Sequence, residues 1–198
     1  MRKLVLGIGV SDKYPTHFNG KITEEYRTWY HMLERCTERF WDKNKTYSGV
    51  SCSENFKSYA FFHKWYNEQR NSNKKDEKGK KWQLDKDLLI KGNKLYGEDT
   101  CVFVPKRINL LLVKRDAWRG DFPIGVNWNK RNGKFVAQCC AGNGTGTFLG
   151  HYDSKENAFH AYKVFKEGFI RLVAEEYKDQ LDTRAYEALL NYVVDIGD

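Results

Sequence analysis

Basic side chains are concentrated in the middle of this chain of 198 residues. Between Lys106 and Lys134 there are eight lysines and arginines, against two acidic residues, Asp116 and Asp121. Residues 153–198 hold six basic and ten acidic side chains, and because the whole chain has a net charge of +8, residues 1–152 carry +12. A basic body attracts polyanions, so the phosphates of a nucleic acid are an expected ligand, although many proteins share such an excess.

Five cysteines are the other side chains with chemistry of their own. Their number is odd, and no two follow the C-x-x-C spacing that is typical of paired zinc ligands. Neighbours on a strand point to opposite faces, so Cys139 and Cys140 suit packing better than joint ligation of a metal. We therefore expect five reduced thiols in a cytoplasmic protein, without zinc.

The composition indicates a folded chain that does not enter a membrane. Hydrophobic residues make up 40% of the sequence and aromatic residues 15%, which argues against disorder of the whole chain. No apolar run approaches the roughly 18 residues that span a bilayer. The short apolar stretch at 4–10 lacks the cleavage site of a signal peptide.

The first half of the sequence is helical in pattern. Thr23 can cap a helix whose apolar spacing continues to Phe40, and Ser53 can cap a second helix that buries Phe62. Residues 67–81 are polar and charged without an apolar anchor, which indicates a surface loop.

A hairpin followed by a helix is predicted next. Residues 82–85 and 101–104 have the pattern of two strands, and residues 91–94 form a turn between them. Pro105 suits the first position of a helix, where its missing N–H costs nothing. The hairpin and helix form a ββα unit.

Three short strands and a helix are predicted in the last third of the chain. The strand patterns cover residues 124–128, 134–140 and 147–152. Asn-Gly pairs at 132–133 and 143–144 separate the strands, and this dipeptide is a strong hairpin signal. Ser154 can cap the helix that follows, and a last helix begins near Thr183.

The sequence therefore predicts an α+β fold with two domains. Residues 1–116 would contain the N-terminal helices and the ββα unit. Residues 117–198 would contain a three-stranded antiparallel sheet packed on a helix, with a further helix at the C-terminal end.

The C-terminal domain resembles the apetala/ethylene-responsive-factor family over residues 122–178. The matching segments are Gly125-Val126-Asn127-Trp128, Gly133-Lys134-Phe135-Val136-Ala137-Gln138, residues 148–154 and residues 158–162. The resemblance implies that the sheet lies in the major groove of double-stranded DNA, which a β-ribbon fits. The residues that it places towards DNA are Asn127, Asn129, Lys130, Arg131, Lys134, Gln138 and Cys140.

The sequence departs from this family at the positions that would read bases. Asn127, Asn129 and Cys140 stand where family members often have arginine, so the bidentate contact of arginine with guanine would be lost. Asn and Gln can pair with adenine instead, which leaves the preferred DNA sequence open. The alternative is an ordinary sheet-and-helix packing unit.

Residues 28–110 resemble phage proteins of the HNH type, several of which are homing endonucleases. The matching pieces are Trp29-x-x-Met32-Leu33-x-Arg35-Cys36, Tyr47-Ser48-Gly49-Val50-x-Cys52, Phe61-x-x-x-Trp65, Leu84-Asp85-Lys86-Asp87, Tyr96-Gly97-Glu98-Asp99-Thr100-Cys101 and Asn109. The resemblance implies hydrolysis of DNA phosphodiester bonds with a divalent metal, Mg²⁺ by expectation. It also implies that the protein acts in the cytoplasm of a phage-infected bacterium.

The same resemblance assigns roles to residues of the ββα unit. Asp85 matches the metal ligand on the strand, Asn109 the ligand on the helix, and Asn93 the residue that orients the base. The position of the catalytic histidine is occupied by Lys86, which is protonated at neutral pH and is a poor general base.

Three explanations of the missing base are open. His31 or His63 could reach in from the N-terminal helices, although a packed core histidine is the favoured interpretation of both. Asp87 or a metal-bound hydroxide could act instead. Catalysis could also have been lost.

Three functions are therefore weighed, and the oligomeric state is left open. The first is a Mg²⁺-dependent DNA endonuclease that its C-terminal domain directs. The second is a catalytically degenerate HNH-like protein that binds DNA and acts as a regulator. The third is a protein-interaction role for the acidic C-terminal segment.

Overall fold

A computed structural model describes residues 4–113, 121–140 and 146–198. The chain forms two compact units, Met1–Val104 and Pro105–Asp198. The α+β prediction is confirmed, because helices accompany several small sheets and a three-stranded antiparallel sheet packs against a helix. The domain boundary predicted at 116 lies outside the described residues, and the helix after Pro105 belongs to the second compact unit.

The first unit consists of short helices with three two-stranded sheets. Its elements are β1 (His17–Phe18), β2 (Lys21–Ile22), α1 (Glu24–Arg35), α2 (Glu38–Lys43), a 3-10 turn (Lys45–Tyr47), β3 (Ser51–Cys52), α3 (Glu54–Lys57), α4 (Tyr59–Glu68), β4 (Gln83–Asp85), β5 (Leu95–Tyr96) and β6 (Val102–Val104). Strands β4 and β6 pair antiparallel, with Leu84 opposite Phe103, as the predicted hairpin requires. Strands β3 and β5 pair in parallel, which the sequence did not indicate.

The predicted helix caps are confirmed, but both helices are shorter than predicted. The hydroxyl of Thr23 accepts a hydrogen bond from the Tyr26 amide, and that of Ser53 accepts one from the Phe56 amide. The prediction of one helix through Phe40 is wrong, because Thr37 caps a new helix, α2. Ser58 likewise separates α3 from α4, since such hydroxyls compete with helical hydrogen bonds.

Aromatic side chains fill the interior of the first unit. Trp29, Phe56, Tyr59 and Phe62 are fully buried, and the Trp29 indole N–H donates to the Phe56 carbonyl at 2.7 Å. The helices α1 and α4 pack together around this cluster. The surface loop predicted at 67–81 begins later than predicted, because α4 extends to Glu68. Residues 71–81 are turns and short loop segments, and most of their side chains are exposed or half-buried, although Asn71 and Ser72 are buried.

The second unit contains the three-stranded sheet. Its described elements are α5 (Lys106–Leu112), β7 (Val126–Asn129), β8 (Lys134–Cys140), β9 (Gly146–Tyr152), α6 (Lys155–Glu176) and α7 (Thr183–Leu190). All three strands lie within two residues of their predicted bounds. Gly133 in the first Asn-Gly turn has a φ of +61°, whereas the second turn at 143–144 lies outside the described residues.

One face of the sheet β7-β8-β9 is covered by α6. Val126, Ala137 and Cys139 are buried from the sheet side, and Phe159 and Tyr162 pack on them from the helix. The neighbour of Cys139 in sequence, Cys140, is exposed, so the prediction that these two thiols point to opposite faces is confirmed. None of the helices formed by the described residues is both long enough and apolar enough to span a membrane.

Candidate nucleic-acid interface

The other face of the sheet β7-β8-β9 is open to solvent. Alternation along β8 turns Phe135, Ala137 and Cys139 towards α6 and leaves Val136 and Gln138 on the opposite side. The central side chains on this side are called the outer sheet face and are Asn127, Val136, Gln138, Phe148 and His151. Asn129, Lys134 and Cys140 share the side towards the ends of the strands, and Cys140 is exposed there.

Strand pairing arranges the outer sheet face in two rows. Asn127 stands opposite Val136, which stands opposite His151 on β9. In the next row, Gln138 stands opposite Phe148. Directly opposed side chains lie about 5 Å apart, so each row can present adjacent groups to one ligand.

A β-bulge brings Phe148 to this face. The pairing shifts by one residue between Ala137 and Gln138, so that Phe148 opposes Gln138 instead of the buried Cys139. Gly150 takes a φ of +134° there, which favours glycine. Phe148 is consequently 60% exposed. The edge of its ring meets the His151 ring, with the ring centroids 5.1 Å apart.

Cationic side chains border the outer sheet face at the β7–β8 turn. Lys130 and Arg131 are exposed there. Lys134 forms an ion pair with Asp153, so part of its charge is compensated. Asn129 has a structural role in the turn, because its side-chain oxygen accepts a hydrogen bond from the Arg131 amide at 3.0 Å.

The structure thus separates the predicted DNA-contacting residues by position. Asn127 and Gln138 lie at the centre of the outer sheet face, whereas Lys130, Arg131 and Lys134 lie at its border. No hydrogen bond within the described part of the chain engages the side-chain amides of Asn127 and Gln138.

Sequence reasoning missed three members of the outer sheet face. They are Val136, Phe148 and His151. Val136 could have been found from the alternation along β8. Phe148 depends on the bulge, whose only sequence signal is a glycine inside a strand, at position 150.

In the first unit, the predicted site residues Asp85, Lys86, Asp87 and Asn93 lie together and are called the hairpin cluster. Asp85 is buried, and its Oδ1 accepts hydrogen bonds from the amides of Asp87 at 3.0 Å and Leu88 at 2.7 Å. Burial, followed by the nearby Asp87 carboxylate, raises the pKa of Asp85 to about 6. Asp85 therefore shapes the chain after β4.

Lys86 is buried as well, and its ammonium group is surrounded by partners. Nζ donates to the Asn93 carbonyl at 3.1 Å and lies 3.3 Å from Oδ2 of Asp87. The rings of Tyr47 and Tyr96 lie within 6 Å of it, with centroids at 5.9 Å and 5.8 Å. A carbonyl, a carboxylate and two aromatic rings therefore hold this ammonium group in place.

Asn93 stabilises the segment that connects β4 to β6. Its Nδ2 donates to the Lys86 carbonyl at 2.6 Å and to the Leu95 carbonyl at 2.8 Å. Its Oδ1 accepts from the Leu95 amide at 3.1 Å. All three contacts are with backbone atoms, and one of them joins Asn93 to the carbonyl of Lys86, the residue at the position predicted for the base.

The two histidines considered as a base are engaged elsewhere. His31 is exposed and lies 3.2 Å from Oε2 of Glu34, so the expectation of a packed core position is wrong for it. His63 is half-buried, and its ring stacks on Tyr14 with the centroids 4.0 Å apart.

The hairpin cluster does not fit Mg²⁺. That ion requires several oxygen ligands in octahedral geometry at about 2.0–2.1 Å. One oxygen of Asp85 is occupied by two backbone N–H groups, and the Lys86 ammonium lies beside the Asp87 carboxylate. The second predicted ligand, Asn109, lies on α5. Nowhere in the described ranges do three or more His, Cys, Asp or Glu side chains form a metal-binding group.

Comparison with known proteins adds no relative. No protein-family model matches the chain, and the searches of curated proteins and of solved structures also found no match. The two resemblances stated above are therefore supported only by the motifs of the sequence, and they stay predictions.

Proposed function

We propose that this chain binds double-stranded DNA through the outer sheet face of its second unit. The observation that carries the proposal is the exposure of Asn127, Gln138 and Phe148 on one face of the sheet, with Lys130 and Arg131 at its border. A face of two or three strands fits the major groove, where side-chain amides reach base edges and cations contact phosphates. In this proposal the chain acts in the cytoplasm of a phage-infected bacterium.

The hairpin cluster favours a regulatory DNA-binding protein over an endonuclease. Lys86 stands where the resemblance expects a catalytic histidine, and its Nζ contacts the Asn93 carbonyl and the Asp87 carboxylate. Asp85 and Asn93 use their side chains to bind backbone groups. We therefore propose that this cluster stabilises the hairpin and that catalysis has been lost.

The first test is the salt dependence of DNA binding. The affinity of the full chain for duplex DNA should fall steeply between low and moderate salt, because bound phosphates release counterions. Arg131→Ala should weaken binding to all sequences and reduce the slope of log K against log salt by about 1. Fluorescence anisotropy with a labelled duplex measures both quantities.

The matched control for this test is Lys178→Ala. Lys178 is also an exposed cation, with 57% of its side chain accessible, but it lies after α6 and pairs with Glu175. The substitution Lys178→Ala removes the same charge as Arg131→Ala and should leave the slope of log K against log salt unchanged. Equal effects of the two substitutions would assign the binding to net charge alone. Affinity that does not depend on salt would instead favour the protein-interaction role of the acidic C-terminal segment.

The second test is DNA cleavage. Purified protein with Mg²⁺ or Mn²⁺ and duplex DNA that it binds should leave the DNA uncut over hours. Asn109→Ala, which removes the predicted ligand on α5, serves as the control. Cleavage by the unmodified chain that Asn109→Ala abolishes would restore the endonuclease hypothesis and overturn the assignment of a structural role to the hairpin cluster.

A further inference from the structure

We infer that the outer sheet face recognises A·T base pairs and that Phe148 contacts the methyl group of thymine. This inference rests on the proposed function, since it names the class of DNA sequence that the same face binds. It goes beyond the exposure of polar groups, because it assigns a specificity role to a side chain that the bulge in β9 presents to solvent.

The polar groups of the outer sheet face suit adenine. Side-chain amides of Asn and Gln form two hydrogen bonds with N6 and N7 of adenine, whereas Arg and Lys pair with O6 and N7 of guanine. The centre of the face holds the amides of Asn127 and Gln138. The cations Lys130 and Arg131 in the β7–β8 turn and Lys134 at the start of β8 lie at its border, where phosphates are the nearer partners.

The apolar groups of the face suit thymine. In the major groove, thymine alone among the four bases of DNA presents a methyl group, and side chains such as Phe recognise it by contact. Phe148 is 60% exposed, and its ring centroid lies 5.1 Å from that of His151. An exposed phenylalanine gains most when an apolar group such as this methyl covers it.

The pairing of Gln138 with Phe148 combines the two contacts. These residues are directly opposed on β8 and β9, so their side chains leave the sheet about 5 Å apart. An A·T pair presents the N6/N7 edge of adenine and the methyl group of thymine side by side in the same groove. One row of the outer sheet face can thus read both halves of one A·T pair or of two successive pairs. Val136, in the next row, adds a second apolar contact beside the Asn127 amide.

The test begins with selection of bound duplexes from a random pool by the full chain. The selected site should be rich in A·T pairs. Each thymine of that site is then replaced by uracil, which removes the methyl group and keeps base pairing. At the position that Phe148 contacts, this replacement should weaken binding by about fourfold, the effect of one buried methyl group.

Substitutions in the protein assign the contact to its side chain. Phe148→Ala should lower the affinity for the thymine duplex and abolish the difference between thymine and uracil, whereas Phe148→Leu should keep part of it. Leu172→Ala is the control, because Leu172 is 64% exposed on α6 and should leave both affinities unchanged. Gln138→Ala should likewise abolish the sensitivity of binding to 7-deazaadenine, which lacks the N7 acceptor.

The outcomes distinguish this inference from the proposed function. A selected site rich in G·C pairs would overturn it while leaving DNA binding intact. A uracil effect that persists in Phe148→Ala would overturn the assignment to Phe148. Failure to select any duplex, with no salt-dependent binding, would instead refute the proposed function itself.

Discussion

Gly125→Ala should lower the free energy of unfolding of the second unit by about 2–5 kcal/mol. Gly125 precedes β7 and has a φ of +76°, a left-handed conformation that costs an L-residue about 1–2 kcal/mol. A Cβ at this position would also lie 2.0 Å from Cδ2 of Tyr162, so the backbone or the ring must move. Overpacking of this kind adds about 1–3 kcal/mol.

The structure supplies a matched control in Gly133→Ala. Gly133 also has a positive φ, of +61°, but nothing lies within 4 Å of the position that its Cβ would take. Gly133→Ala should therefore lower the free energy of unfolding only by the conformational cost, about 1–2 kcal/mol. The difference between the two variants measures the close approach of the backbone to Tyr162.

Native-state hydrogen exchange of the full chain measures this effect where it occurs. Amides of β7 and β8, such as those of Val126 and Gln138, should lose more protection in Gly125→Ala than in Gly133→Ala. The Gln138 amide is informative because it donates to the Gly125 carbonyl at 2.9 Å. Equal losses in both variants would show that the Tyr162 ring yields without cost.

Much of the second unit could be predicted from the sequence because its signals are local. Alternation along β8, the Asn-Gly turn at 132–133 and the Ser154 cap each act over a few residues and agree with the structure. The bulge in β9 could not be predicted, since it depends on which residues of β8 are buried. It is nevertheless the feature that exposes Phe148.

In the first unit, the ends of the helices could not be predicted from apolar spacing alone. The spacing that predicted one helix runs on past Thr37, where a side-chain cap starts a new helix. The parallel pairing of β3 with β5 joins residues about 44 positions apart in the chain, and no local pattern reports it.

The side chains of the hairpin cluster lie together in the fold, but their chemistry depends on burial. Asp85 and Lys86 read as a ligand and a poor base when only their types and spacing are considered. In the fold both are buried, Asp85 caps backbone amides, and two tyrosines from distant segments, Tyr47 and Tyr96, flank Lys86. Such non-local neighbours decide whether a polar cluster is catalytic or structural.

Asp85→Asn should therefore stabilise the first unit at pH 7, by up to about 3 kcal/mol, and leave its stability nearly unchanged near pH 4. Burial and the Asp87 carboxylate raise the pKa of Asp85 to about 6, above the value of 3.8 for an unperturbed aspartate. A raised pKa in the fold favours the protonated form of Asp85. The parent chain therefore has the stability contributed by protonated Asp85 below pH 4 and loses it as the pH rises through 6. The groups that face the carboxyl are Asp87, Lys86 and the buried thiol of Cys101.

An amide at position 85 keeps the useful contact and removes the charge. The side-chain oxygen of asparagine can still accept from the amides of Asp87 and Leu88, as Oδ1 of Asp85 does. Asp85→Ala also removes the charge but loses this acceptor, so it should be less stable than Asp85→Asn by about 1–3 kcal/mol at both pH values. Urea denaturation of the three proteins at pH 4 and pH 7 gives the comparison.

The same three proteins discriminate a structural carboxyl group from a metal ligand. A ligand must be deprotonated, so Mg²⁺ at pH 7 would stabilise the parent chain and not Asp85→Asn. If Asp85 has a structural role, we expect the reverse order of stability at pH 7. Asp85→Asn should then be more stable than the parent chain whether or not Mg²⁺ is present. A parent chain that gains stability from Mg²⁺ and exceeds Asp85→Asn at pH 7 would return Asp85 to the role that its sequence position suggested. If the order is as we expect, a charged aspartate beside Lys86 costs stability near neutral pH, and its value to the hairpin lies in its side-chain oxygen alone.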